Sequence, residues 1–303
     1  MDTTRRNANL QLLLAAAIWG FAFVAQRLGM RHLEPLYFNG IRFALGAAFL
    51  VPWLLWGPRW LRGRTAEAAA GDGAVLSRGA TARWGLLTGV VLFGGATLQQ
   101  FGVVLTTAGK AGFITGLYVV LVPVLGLLIG QKTRRMVWVG AFTAAGGLYL
   151  LSARGLTSID PGDGLVLLGA VFWACHVLII GRLANRIEPL LLAVVQFSVC
   201  SALSLIGALL FESFDPAAIK AAAIPILYAG LLSVGVAYTL QVVAQRRARP
   251  AHAAIILSFE SVFAALGGWL VLAEGLSGRG IAGCALMLVG ILLTQTGGDD
   301  EPA

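Results

Sequence analysis

The most reactive group in this sequence for its surroundings is a carboxyl placed where carboxyls are expensive. Glu260 lies about nine residues into the apolar stretch that begins at His252, or ~14 Å along a helix rising 1.5 Å per residue. A charge at the centre of a bilayer costs about 2.5–3.5 kcal/mol on insertion scales, so such a group faces a cavity, meets a partner or takes up a proton. It can contact a solute or carry a proton; its plainer reading is a carboxyl hydrogen-bonded to a neighbouring helix. Arg42 is the one Lys or Arg deep inside an apolar stretch, roughly six residues or ~9 Å from its outer end. There it can meet an anion or snorkel to the headgroups. Its depth differs from that of Glu260 by about 7 Å, which allows a direct or water-bridged pair. Gln99, Gln100 and Gln241 can hydrogen-bond a solute in an apolar cavity or bridge helices, and bridging is worth only ~0.6 kcal/mol. His176 could shuttle protons or tie two helices together. Trp19, Trp173 and Tyr118 offer aromatic walls to a solute, or ordinary packing.

The elements that carry these groups are long apolar helices. In 303 residues, 58% are hydrophobic and 12% charged, more apolar surface than one soluble core can bury. A helix needs about 20 apolar residues to cross ~30 Å of hydrocarbon. Ten stretches answer to that: 10–28, 36–56, 84–105, 108–130, 136–152, 164–182, 190–211, 221–244, 252–272 and 279–296. The sequence therefore predicts an all-α integral membrane protein of ten transmembrane helices. The stretch 57–83, rich in Gly, Ala and Arg, is predicted to be a disordered cytoplasmic loop. Gly140, Gly146, Gly147, Gly283 and Gly290 suit close helix packing at the periphery. The glycines of the third stretch, with Pro123 in the fourth, mark helices expected to bend.

Charge sets orientation and excludes other classes. The net charge of +8 sits in short gaps between apolar runs and forms no continuous patch, which argues against nucleic-acid binding. With the N-terminus inside, fifteen Lys and Arg residues, from Arg5 to Arg249, fall on the cytoplasmic side and six outside. That bias places both termini in the cytoplasm. Cys175, Cys200 and Cys284 lie inside apolar runs and read as small buried side chains. No span contains Asp, no His-Glu-x-x-His or Gly-x-Ser-x-Gly pattern occurs, and so neither a metal centre, a cofactor site nor a catalytic triad is expected.

Residues 10–56 recur without a gap 154 positions later: Leu13, Trp19, Glu34, Pro35 and Phe43 meet Leu167, Trp173, Glu188, Pro189 and Phe197. Gln196 then stands where Arg42 does, polar but uncharged. Leu98 and Gln99 match Leu240 and Gln241 at a spacing of 142. With five stretches per copy, the halves 1–153 and 154–303 enter the membrane from opposite sides. Two inverted five-helix repeats imply a site near mid-bilayer at their interface, the layout of transporters that rock one half against the other. A small-molecule substrate and the lipid bilayer are the partners this implies, and a homodimer is compatible with it. A receptor or scaffold without transport is the alternative function, and a membrane-embedded enzyme a more distant one.

Three motifs extend the comparison: Ala17-Ile18-Trp19-Gly20-Phe21-Ala22-Phe23, then Gly112-Phe113-Ile114-Thr115-Gly116-Leu117-Tyr118 running on to Pro123, then Phe259-Glu260-Ser261-Val262-Phe263-Ala264-Ala265 with Glu274 beyond. In this order and spacing the chain resembles the EamA type of the drug/metabolite transporter superfamily over nearly its whole length. It departs from the pattern at Ser261, where Pro is usual, and at Gln131-Lys132, where an acidic residue is common. The resemblance implies ten helices in two halves, and a secondary transporter that exports or exchanges a small metabolite across the cytoplasmic membrane by alternating access.

Overall fold

Every regular element among the described residues is helical. The computed structural model describes residues 3–57, 76–106, 108–152, 161–273, 275 and 277–296. The helices are α1 (Thr3–Gly29), α2 (Pro35–Trp56), α3 (Arg78–Leu105), α4 (Ala108–Gly116), α5 (Tyr118–Leu128), α6 (Arg135–Ser152), α7 (Pro161–Leu183) and α8 (Pro189–Phe211). After these come α9 (Pro216–Ala221), α10 (Ala223–Leu227), a π-helical stretch (Tyr228–Ala237), α11 (Tyr238–Ala244), α12 (Pro250–Leu257), α13 (Glu260–Leu272) and α14 (Gly278–Thr296). Several begin on proline at the first turn, as α2, α8, α9 and α12 do, where the missing N–H has no helical acceptor to lose.

Eight helical stretches among the described residues are long and apolar enough to cross a membrane: 6–29, 35–56, 78–105, 111–128, 161–183, 189–211, 223–244 and 250–272. Their outward faces carry large apolar side chains, with Leu128, Phe211 and Ile224 each about four-fifths exposed. Lipid is the medium in which such a surface is stable, because a soluble monomer rarely shows a contiguous apolar patch of that extent. The chain is a multi-pass membrane protein. The two other expected stretches form α6 and α14, which lie along each other. A Cβ on Gly147 would come 2.6 Å from the Gly283 carbonyl, and one on Gly290 would come 2.8 Å from the Gly140 carbonyl. Only backbones without side chains between them approach so closely.

In the remaining bundle α1 packs on α13 and the π stretch, α2 lies along α8 and the π stretch, and α3 sits between α7 and α8. The interior is closed by Phe38, Phe43, Phe197 and a set of Leu and Ile side chains with no exposed surface.

Three features differ from the sequence expectation. The stretch predicted to be disordered is helical from Arg78 onward, because Ser77 caps α3 by accepting a hydrogen bond from the Ala80 N–H at 3.2 Å; residues 58–75 lie outside the described residues, as does Glu274. The fourth stretch is interrupted at Leu117, six residues ahead of Pro123, where Leu117 N–H turns to the Ile114 carbonyl and Val120 N–H to the Leu117 carbonyl. The ninth is interrupted without any proline at Ser258–Phe259, where the N–H groups of Phe259 and Ser261 bond three residues back and Ser258 Oγ donates to the Ile255 carbonyl at 2.8 Å. Serine bonded to its own helix in this way bends it.

Candidate functional site

One cavity collects most of the residues chosen above. Trp19, Arg42, Gln99, Tyr118, His176, Gln241 and Glu260 all line it. Gln100 does not. It faces elsewhere, fully buried, with both amide atoms unpartnered.

The helix interruptions set its middle. Tyr118 is the first residue of α5 and Glu260 the first of α13, so each sits at the positive end of a half-helix, where an acidic group or an anion is favoured. The Ser261 hydroxyl donates to the Gly112 carbonyl at 2.8 Å, holding the start of α13 against α4. Glu260 is 5% exposed; the Tyr118 hydroxyl stands beside its carboxyl, and its Oε1 has no hydrogen-bond partner.

The walls are aromatic and tied together by polar edges. Trp19 Nε1 donates to the Ser233 carbonyl in the π stretch at 3.1 Å, and the Trp19 ring meets Tyr238 edge-on with centroids 4.7 Å apart. Trp173 Nε1 donates to Gln99 Oε1 at 2.8 Å, and Gln99 Nε2 reaches Gln26 Oε1 at 3.4 Å. Gln99 therefore joins α1, α3 and α7 while lining the cavity. His176 Nε2 lies 3.0 Å from Gln196 Oε1.

Arg42 does not snorkel. It is 3% exposed, with its guanidinium carbon 5.0 Å from the centre of the Phe43 ring and 5.6 Å from that of Phe38. These two rings flank it in sequence and keep the side chain inside the bundle. Its Nε has no hydrogen-bond partner.

Sequence reasoning missed Gln26, Thr115, Ser233 and Tyr238, which also line the cavity. Gln26 had a readable signal, since it follows Trp19 by seven residues and so shares its helix face two turns on. Tyr238 precedes Gln241 by three, again on one face.

Both ends of the bundle are closed by hydrogen bonds. At one, Arg78 meets both carboxylate oxygens of Glu188 at 3.2 and 3.3 Å. There Arg246 also donates to the carbonyls of Ala184 and Ile187, and Gln245 Nε2 to that of Val177 at 2.9 Å. At the other, Glu212 accepts from the N–H groups of Leu36 and Tyr37 at 2.7 and 2.8 Å, and Glu34 accepts from that of Ser213. Burial holds the Glu212 carboxyl above its usual range, although the two N–H donors pull it down and Glu34 adds to the rise.

A mixed aromatic and polar cavity enclosed by membrane-crossing helices, with its ionisable groups turned inward, is the equipment of a membrane transporter. The chain belongs to the EamA-like transporter family, whose model matches residues 6–153 and again 160–296. It is 30% identical over 96% of its length to a protein of Archaeoglobus fulgidus named an uncharacterized transporter, covering 86% of that protein. It is 22% identical to the uncharacterized transporter YoaV of Bacillus subtilis over 94% of this chain and 95% of that one. The uncharacterized inner membrane transporter YedA of Escherichia coli K12 is 28% identical across 59% of this chain and 56% of its own. A crystal structure of another protein has the same fold, with a TM-score of 0.74 at 20% identity over 95% of this chain and 96% of that one.

Proposed function

We propose that this protein is a secondary transporter that exports or exchanges a small metabolite across the cytoplasmic membrane, with the cavity around Glu260 as its substrate site. In this reading residues 1–153 and 154–303 are inverted halves that rock about the site, and both termini face the cytoplasm, as the bias in basic residues suggests. The observation that carries the reading is the pair of helix interruptions. They bring Tyr118 and Glu260, 142 positions apart in the chain, to the first residue of two half-helices that line one cavity. That is the spacing at which Gln99 echoes Gln241, and half-helix ends at mid-membrane are where transporters of this construction bind their solutes.

Alternating access is tested at that second pair. Single cysteines replacing Gln99 and Gln241 should change their reactivity toward a water-soluble thiol reagent in opposite directions when substrate or a conformational lock shifts the inward and outward populations. Parallel changes, or none while the populations demonstrably shift, would reduce the repeat to architecture.

A further inference from the structure

We infer that Arg42 is the anion-binding pole of the cavity and that the transported solute carries a single carboxylate on a compact, flat apolar body. The inference rests on the transporter reading above and adds the chemical class of the solute.

A guanidinium keeps its charge under any condition at which the protein functions, so Arg42 cannot escape the cost of burial by losing a proton. It must be compensated. Among the described residues no carboxylate lies within 4.0 Å of it, and no side chain or carbonyl accepts a hydrogen bond from it. The Phe38 and Phe43 rings attract it through their faces, yet they leave its fork of N–H donors unused, with Nε wholly unpartnered. Glu260 lines the same cavity without reaching it. The duplicated position shows the contrast: Gln196, 154 residues on, is uncharged and has His176 at 3.0 Å. There Gln196 Oε1 is met from inside the protein and only a neutral Nε2 stays unpaired, whereas at Arg42 a full charge is left to whatever enters.

The same walls set the rest of the solute. Among the described residues Arg42 is the one permanent cation lining the cavity and Glu260 the one acidic group. A dianion such as a phosphate monoester would bring a second negative charge with no second cation to meet it, so a monoanion fits better. The rings of Trp19, Trp173 and Tyr238 favour a flat apolar body beside that carboxylate.

The test is binding to the purified full chain in lipid nanodiscs, measured by calorimetry with four probes of one shape: phenylacetate, phenylacetamide, phenethylamine and phenyl phosphate. Phenylacetate should bind about tenfold or more tightly than the amide, the scale of one charge-assisted hydrogen-bonding contact. R42Q should bring the two within about threefold, and R42K should keep the preference for the acid. Equal binding of acid and amide by the unaltered protein, no binding of phenylacetate at all, or a preference that survives R42Q each overturns the proposal. Tighter binding of phenyl phosphate or of phenethylamine overturns the monocarboxylate. Should R42Q not fold, the four-probe comparison on the unaltered protein and R42K still decides. A protein that selects phenylacetate through Arg42 but shows no reciprocal reactivity at positions 99 and 241 keeps its anion site and loses alternating access; the opposite result removes the anion site alone.

Discussion

Replacing Gly20 with alanine tests how tightly the cavity walls are held. Gly20 follows Trp19 on α1 and faces the start of α13. A Cβ there would collide with Phe263 Cβ and would stand 2.6 Å from the Glu260 carbonyl oxygen and 2.8 Å from the Ala264 nitrogen, where ordinary contact begins near 3.4 Å. Two of the three obstacles are backbone and the third is a Cβ fixed to it, so no rotamer change relieves them, and α1 and α13 must part by about 1 Å. Forcing an extra carbon into a packed interface costs about 1–3 kcal/mol. The shift also reaches the site: the Trp19–Ser233 hydrogen bond, already 3.1 Å, would be stretched toward the limit of its geometry. Gly112→Ala is the control, because its Cβ would meet only Ala264 Cβ, at 3.8 Å. There the gain in helix propensity of about 0.5–1 kcal/mol goes unopposed. Equilibrium unfolding in mixed micelles should rank G112A at or above the unaltered protein and G20A below it by about 1–3 kcal/mol, with flux into liposomes reduced for G20A alone. A G20A protein within about 0.5 kcal/mol of the original, the scatter of neutral substitutions, would refute the close α1–α13 contact.

Two further outcomes are expected. If Glu260 carries the coupling proton, Glu260→Gln, which keeps shape and hydrogen-bonding capacity but cannot exchange a proton, should abolish flux driven by a pH gradient in proteoliposomes while unfolding stays near that of the unaltered protein; unchanged gradient-driven flux would return Glu260 to packing. Glu212 yields a pH effect on stability: burial raises its carboxyl above the usual value, so the folded state holds the proton more tightly than the unfolded chain. Its contribution is full below the ordinary carboxylate range and is lost as pH rises through the raised value. The stability of the unaltered protein relative to E212Q should therefore fall from mildly acidic to neutral pH, and a difference that is flat or rises would contradict that sign.

The helices were legible because apolar runs of twenty residues have few alternatives, and the site because a lone Glu260 or Arg42 stands out against such runs. What stayed hidden depends on contacts across the bundle. The π stretch at Tyr228–Ala237 has no signature in its residues. It forms where Gly230 approaches the Arg42 carbonyl and Leu45, and a widened turn presents the Ser233 carbonyl to Trp19. The interruption at Ser258–Phe259 was invisible for the opposite reason, since the residue expected to break that helix, a proline, is missing and a serine hydroxyl does the bending. Arg42 was ambiguous because depth alone does not separate snorkelling from burial; the flanking Phe38 and Phe43 rings decide it.

The polar groups left unpaired inside the cavity bear on what the site does. Buried polar atoms without partners are rare in folded proteins, and inside a membrane each costs several kcal/mol because no water reaches it. Arg42 Nε, Gln241 Oε1 and Glu260 Oε1 are such atoms within the cavity, while Asn39, Gln100, Gln196 and Gln245 carry others outside its lining. A purely structural core would have been better served by leucine at the cavity positions. They make physical sense if water or a solute completes them for part of the time. The ends of the bundle show the complementary economy: Arg246 and Glu212 close them with two hydrogen bonds each to backbone groups and Gln245 with one, contacts of about 0.5–3 kcal/mol net apiece that can be exchanged for water. By contrast α6 and α14 meet backbone to backbone at Gly147 and Gly290, a contact that cannot slide without collision. If the protein rocks between two states, this pair moves as one piece, and the motion falls on the interrupted helices and the π stretch that surround Glu260.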